Sequence, residues 1–129
     1  MPKIKTIVIM DVDNLADVHV PVEVDYHTVD EYGWIEGTIE VQNVCQYGSR
    51  SYRFNAKVYG LPSNNGIDGG CISKLYVKDV NTNTEVIGYD RGWYLEPTCP
   101  QEYAALNALL EIFDTPYRSE YFDRQCDTN

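Results

Sequence analysis

Apolar and polar residues alternate with a period of two along much of this chain, and that rhythm leaves few choices of fold. Val18, Val20, Val22 and Val24 fall on one side of an extended segment, with His19, Glu23 and Asp25 on the other. Over 34–44, Ile35, Ile39 and Val41 oppose Glu36, Thr38, Glu40 and Gln42. Over 51–59, Tyr52, Phe54, Ala56 and Val58 oppose Arg53, Asn55, Lys57 and Tyr59. Strands with one dry and one wet face belong to an antiparallel sheet covered on one side. Residues 3–12, 71–79 and 84–90 read as further strands. Turn chemistry separates them at Asp13–Asp17, 27–33, Gln46–Ser49 and Asn81–Asn83. Pro21 predicts an edge or a bulge, since proline cannot donate to a ladder. Cross-strand ion pairs are expected between Glu36 and Glu40 on one strand and Arg53 and Lys57 on the next.

The period changes after Cys99. Pro100 suits the first helical position, and Glu102 falls in the first turn, where the helix dipole favours an acid. Tyr103, Leu106, Leu109, Leu110 and Phe113 form the expected buried stripe, and Pro116 ends the helix. The sequence therefore predicts an α+β fold: an antiparallel sheet of about five to six strands in successive hairpins, with one C-terminal helix packed on it. The 129 residues suit one domain. Within it, 1–33 are an acidic hairpin and connection, 34–113 the sheet and helix, and 114–129 a tail whose Tyr121 and Phe122 pack back.

Charge is the most unusual property of the chain. The net charge is -10, and no Lys or Arg occurs from Thr6 to Ser49. Nine acids and two lysines give residues 1–49 a net -7; eleven acids and eight bases leave -3 for the rest. Residues two apart on a strand project from one face about 6.6 Å apart, so carboxylates would stand in short rows. Such a field repels nucleic acid and acidic membrane surfaces and attracts the basic grooves that nucleic-acid-binding proteins use. The plain alternative is solubility.

The apolar run Ile7–Met10 is too short for a signal sequence, and no stretch approaches a membrane span, so a cytoplasmic protein is expected. In that compartment Cys45, Cys71, Cys99 and Cys126 would be thiols. Their wide spacing lacks the close pairs of a zinc site. No cofactor or metal is expected.

Four strings could carry chemistry. Ile7–Asn14 resembles the nucleophile strand of haloacid-dehalogenase-type phosphatases, in which paired aspartates handle phosphoryl transfer; the strands that follow, in place of a crossover helix, count against it. Gly60–Gly70, followed by Lys74, has the glycines of a phosphate cradle but not its Gly-Lys-Ser/Thr ending. His19 and His27 flank Asp25 as an acid–base or metal set, with solvated surface histidines as the default. Asp90-Arg91-Gly92-Trp93 reads as a packed corner, with Asp90 paired to Arg91 or Arg53 and with Trp34 and Trp93 anchoring the core.

Phe54–Tyr59, Pro62-Ser63, Gly66–Leu75 and Tyr89–Trp93 together resemble a small domain family of unknown function found in phages, prophages and mobile elements of Firmicutes and gut bacteria. The resemblance spans about 34–113, and the family usually has Arg where this chain has Cys71. It implies a mobile-element setting, one in which small acidic inhibitors of host defence nucleases occur. Anti-CRISPR proteins are similar in size and charge, without a shared motif.

The leading expectation is a stoichiometric binding protein, not an enzyme. Its acidic face would block a basic nucleic-acid groove on a host protein, a CRISPR nuclease first among candidates. The expected contact set is Asp11, Asp13, Asp17, Glu23, Asp25, Asp30 and Glu31. The protein would bind neither nucleic acid nor membrane, as a monomer or homodimer. The alternatives are a small-ligand binder or enzyme using Gly60–Gly70 with Asp90 and Arg91, and a self-associating structural phage protein.

Overall fold

The computed structural model describes residues 3–11, 16–42 and 48–113, with side chains from residue 19 onward in those spans. Seven strands form one antiparallel sheet in chain order. They are β1 (Lys3–Asp11), β2 (Ala16–Thr28), β3 (Trp34–Val41), β4 (Arg50–Val58), β5 (Ile72–Asp79), β6 (Thr84–Asp90) and β7 (Trp93–Leu95). The α-helix α1 (Pro100–Phe113) packs on β1, β2 and β3. The α+β class is as the period-two pattern predicts. The strand beyond the expected five to six is β7, three residues too short to show a period.

The alternation does what it promised on the helix side. Val20, Val22, Val24, Ile39, Tyr52, Phe54 and Ala56 are fully buried there, together with Leu75, Val77 and Ile87. Phe113 of α1 meets Tyr26 edge-on at 4.9 Å and lies 6.2 Å from Phe54. Ile67, from the loop between β4 and β5, completes the same core. That loop is tied to β6 by the Tyr89 hydroxyl, which donates to the Asn65 carbonyl at 2.9 Å.

Three expectations need correction. β2 is an interior strand, between β1 and β3. Pro21 is accommodated because its missing N–H falls just past the last β2–β3 pair, Val22 with Val41; there the Pro21 carbonyl still accepts from the Gln42 N–H at 3.1 Å. Glu36 and Glu40 do not face Arg53 and Lys57. The register sets Glu36 opposite Asn55, Glu40 opposite Ser51, Arg53 opposite Thr38 and Lys57 opposite Trp34. On α1, Tyr103 is 48% exposed, and the buried face runs through Ala104, Ala105, Ala108, Leu109 and Ile112. Alanines let the helix approach the sheet closely, which a stripe of large residues would prevent. The expected helix stop at Pro116, and Tyr121 and Phe122, lie outside the described residues.

Two buried polar groups yield stability predictions. Asp79, at the end of β5, accepts from the Asn81 and Thr82 N–H groups at 2.8 and 3.2 Å and from the Arg50 guanidinium at 3.0 Å. The bond to Asp79 raises the Arg50 pKa further. Asp79→Ala leaves two turn donors without their acceptor while Arg50 can turn to water, an expected cost of about 1–2 kcal/mol in urea unfolding. Asp79→Asn keeps an oxygen for the turn and should lose less than half of that.

Tyr52 is fully buried, and its hydroxyl has no hydrogen-bond partner among the described residues. Burial first, then the nearby Cys99 and Glu102, push its ionisation up. The folded state thus favours the neutral phenol. Its contribution is fully present below the ordinary tyrosine pKa, about 10, and is lost as pH rises through and above it. Tyr52→Phe removes an unsatisfied hydroxyl from the core and should raise stability by about 1 kcal/mol at neutral pH. It should also flatten the alkaline fall in melting temperature; an unchanged fall would exclude Tyr52 as its source.

Candidate functional site

The face of the sheet opposite α1 carries the charge, and the strand register decides how that charge is grouped. β2 contributes His19, Glu23, Asp25 and His27, and β3 contributes Glu36, Thr38 and Glu40. β4 contributes Arg53, Asn55 and Lys57, and β5 contributes Lys74, Tyr76 and Lys78. Glu23 stands directly opposite Glu40. Arg53 stands opposite Lys78, and Lys57 opposite Lys74. Like charges placed directly across a ladder repel, costing up to about 1 kcal/mol a pair. One face therefore holds an acidic strip on β2–β3 beside a basic strip on β4–β5, with Thr38 between Asp25 and Arg53 in the same cross-strand row.

The acidic strip is not neutralised from the basic side. Among the described residues, Glu23, Asp25, Glu36 and Glu40 form no ion pair with Lys or Arg. Glu36 takes a 3.0 Å contact from His27 Nε2 and a 3.3 Å bond from the Asn55 amide, and Glu40 accepts from the Ser51 hydroxyl. These bonds fix the carboxylates in place and leave their charge.

The expected contact residues divide into three groups. Glu23 and Asp25 lie side by side on the open face. Asp30 and Glu31 sit in the β2–β3 turn, where Asp30 Oδ1 accepts from the Tyr32 and Trp34 N–H groups at 2.9 and 3.3 Å; that carboxylate shapes the turn. Asp11 and Asp17 belong to the first hairpin, paired with Ala16 and Met10. Asp13 lies outside the described residues. Glu36 and Glu40 complete the strip and were absent from the expected set. Their strand pattern was plain; what was missing was the register that carries them beside Glu23 and Asp25.

The aromatic residues also sit differently from the expectation. Trp34 stacks on Tyr76 at 6.3 Å on the open face, with the Lys57 ammonium 5.8 Å from its ring. Trp93 is 36% exposed and meets Tyr89 edge-on at 5.1 Å. Neither anchors the core. Asp90–Trp93 is the β6–β7 turn, with Arg91 at a positive φ of 58° and its Nε 3.4 Å from Asp90. The Tyr94 ring covers Gly88, and its hydroxyl donates to Glu85 at 2.9 Å.

Among the described residues no three His, Cys, Asp or Glu side chains converge as a metal site requires. Among the same residues no helix is long and apolar enough to cross a membrane.

Residues 33–114 match a family described as Domain of unknown function (DUF7678). No curated protein and no solved structure matches the chain. The family match begins at the β2–β3 turn. It leaves Glu23 and Asp25 outside and takes in Glu36, Glu40, the whole basic strip and α1.

Proposed function

This chain belongs to the DUF7678 family, and from that premise we propose that it is a stoichiometric binding protein whose β2–β3 acidic strip docks on a basic surface of a partner protein. The observation that carries the reading is Glu23 held opposite Glu40 beside Asp25, with no lysine or arginine partner among the described residues. A face serving only solubility gains nothing from stacking acids on one side and bases on the other. Sorted charge steers an oppositely sorted partner and sets its orientation.

The finer reading is a mobile-element protein acting in the bacterial cytoplasm on a host defence nuclease, a CRISPR nuclease first. It is supported by the acidic hairpin and by the resemblance to phage and mobile-element domains. A groove that binds nucleic acid by phosphate neutralisation is basic, and a carboxylate strip can occupy it. The basic strip beside it limits how the groove can lie, since a groove extended past β3 would meet Arg53 and Lys57.

The test is a nuclease cleavage assay with the protein in molar excess. The wild-type chain should suppress cleavage when added before the guide or substrate. A Glu23→Lys/Asp25→Lys variant should weaken inhibition at least about a hundredfold, or ~1.4 kcal/mol per reversed charge. Inhibition that survives the double reversal rejects the acidic strip as the contact.

A further inference from the structure

Half of the lysines and arginines whose side chains are described line one pocket of about 490 Å³. It opens where the ends of β4 and β5 meet the 60–70 loop and the β6–β7 turn. Lys57, Lys74 and Arg91 stand around it. The ladder holds Lys57 directly opposite Lys74. Arg91 is brought in by a left-handed residue in the turn, φ 58°, whose N–H donates to the Ser73 carbonyl at 2.9 Å. A non-glycine residue in that region is held there at a cost by its surroundings.

The anionic side of this pocket is thin. Asp90 lies 3.9 Å from the Lys74 ammonium and 3.4 Å from Arg91 Nε. Lys57 has no carboxylate partner among the described residues; its ammonium rests 5.8 and 5.6 Å from the rings of Trp34 and Tyr59. Ser73 lines the same pocket, is 97% buried, and has a hydroxyl without a hydrogen-bond partner among the described residues. Three cations, one carboxylate and an orphan donor in one concavity form a local positive site in a protein of net charge -10. Buried polar groups are normally satisfied, so an orphan hydroxyl beside unneutralised cations points to an absent anionic partner.

We infer that this pocket binds a small phosphorylated ligand carrying a ring, with a nucleoside monophosphate as the type. Lys57, Lys74 and Arg91 supply charge-assisted bonds to the phosphoryl oxygens, and Ser73 supplies a further donor. Tyr59 and Leu61, both about half exposed, and Pro62 offer the wall for the ring. The volume falls in the range of small-ligand sites. Every residue named lies within the family match. The inference does not depend on the acidic strip, which occupies other strands.

The test is titration calorimetry on the full chain with adenosine monophosphate, adenosine and inorganic phosphate. The nucleotide should bind, inorganic phosphate should bind more weakly, and adenosine should give no signal. Lys57→Ala or Lys74→Ala should weaken nucleotide binding at least about tenfold. Each breaks a like-charge pair, so melting temperatures should hold or rise, which separates lost binding from lost folding. Lys78→Ala removes the same charge from the same face outside the pocket and should leave binding unchanged. No heat from the nucleotide, or an equal loss in Lys78→Ala, overturns the site. Phosphate binding as tightly as the nucleotide overturns the assignment of Tyr59, Leu61 and Pro62 to a ring.

Discussion

Gly37→Ala is expected to destabilise the protein by about 2–3 kcal/mol and to do so at one seam. A Cβ at residue 37 would lie 2.0 Å from the Asp25 carbonyl oxygen and 2.8 Å from the Tyr26 Cα. Both are backbone atoms of β2, so no side-chain rotation relieves the clash; the strands must separate. Gly37 pairs with Tyr26 on one side and Phe54 on the other. Tyr26 in turn packs on Phe113. Pushing β2 away therefore loosens α1, which rests on β1, β2 and β3. Hydrogen exchange should show amides of β1, β2 and α1 opening together, ahead of β4–β6. Wild-type stability in this variant would mean that β2 and β3 do not approach so closely.

That seam also explains the family boundary. The match begins at residue 33, between the two strands that Gly37 brings together. The first hairpin is nevertheless part of the platform under α1, so it is more than an attached arm.

The strands were legible because a half-buried strand must alternate, and Val20, Val22 and Val24 or Tyr52, Phe54 and Ala56 do so without interruption. The register was not legible, because it depends on where each turn begins and how it closes. Asp30 caps a turn that sets Glu23 opposite Glu40, and a one-residue slip would have produced different neighbours. The helix was found by its period, but its buried face was misread because large residues dominate a sequence pattern while alanines dominate a close contact. The pocket was invisible for a further reason. Lys57, Lys74 and Arg91 come from three strands or turns, and only the folded ladder brings them together. Of the acidic site, Glu23 and Asp25 were read from one strand alone; Glu36 and Glu40 required the neighbour.

Glu23→Lys should separate folding from binding in opposite directions. In the wild type, Glu23 and Glu40 repel across the ladder. A lysine at 23 turns that pair attractive, and melting should rise by the equivalent of about 0.2–1 kcal/mol. Partner binding should fall about tenfold, mostly through slower association, and the dependence on salt should weaken. Arg53→Glu makes the reciprocal case. It turns the repulsive Arg53–Lys78 pair attractive and extends the acidic surface across Thr38 onto β4. Stability should again rise, but association with a uniformly basic groove should become faster. A purely structural face predicts that both variants gain stability and change no binding. A groove with its own acidic rim predicts that Arg53→Glu weakens binding as Glu23→Lys does. Stopped-flow association rates at two ionic strengths, read beside thermal melts of the same proteins, tell the three apart, because only an acidic strip seated in a uniformly basic groove gives stability gains of one sign and rate changes of two.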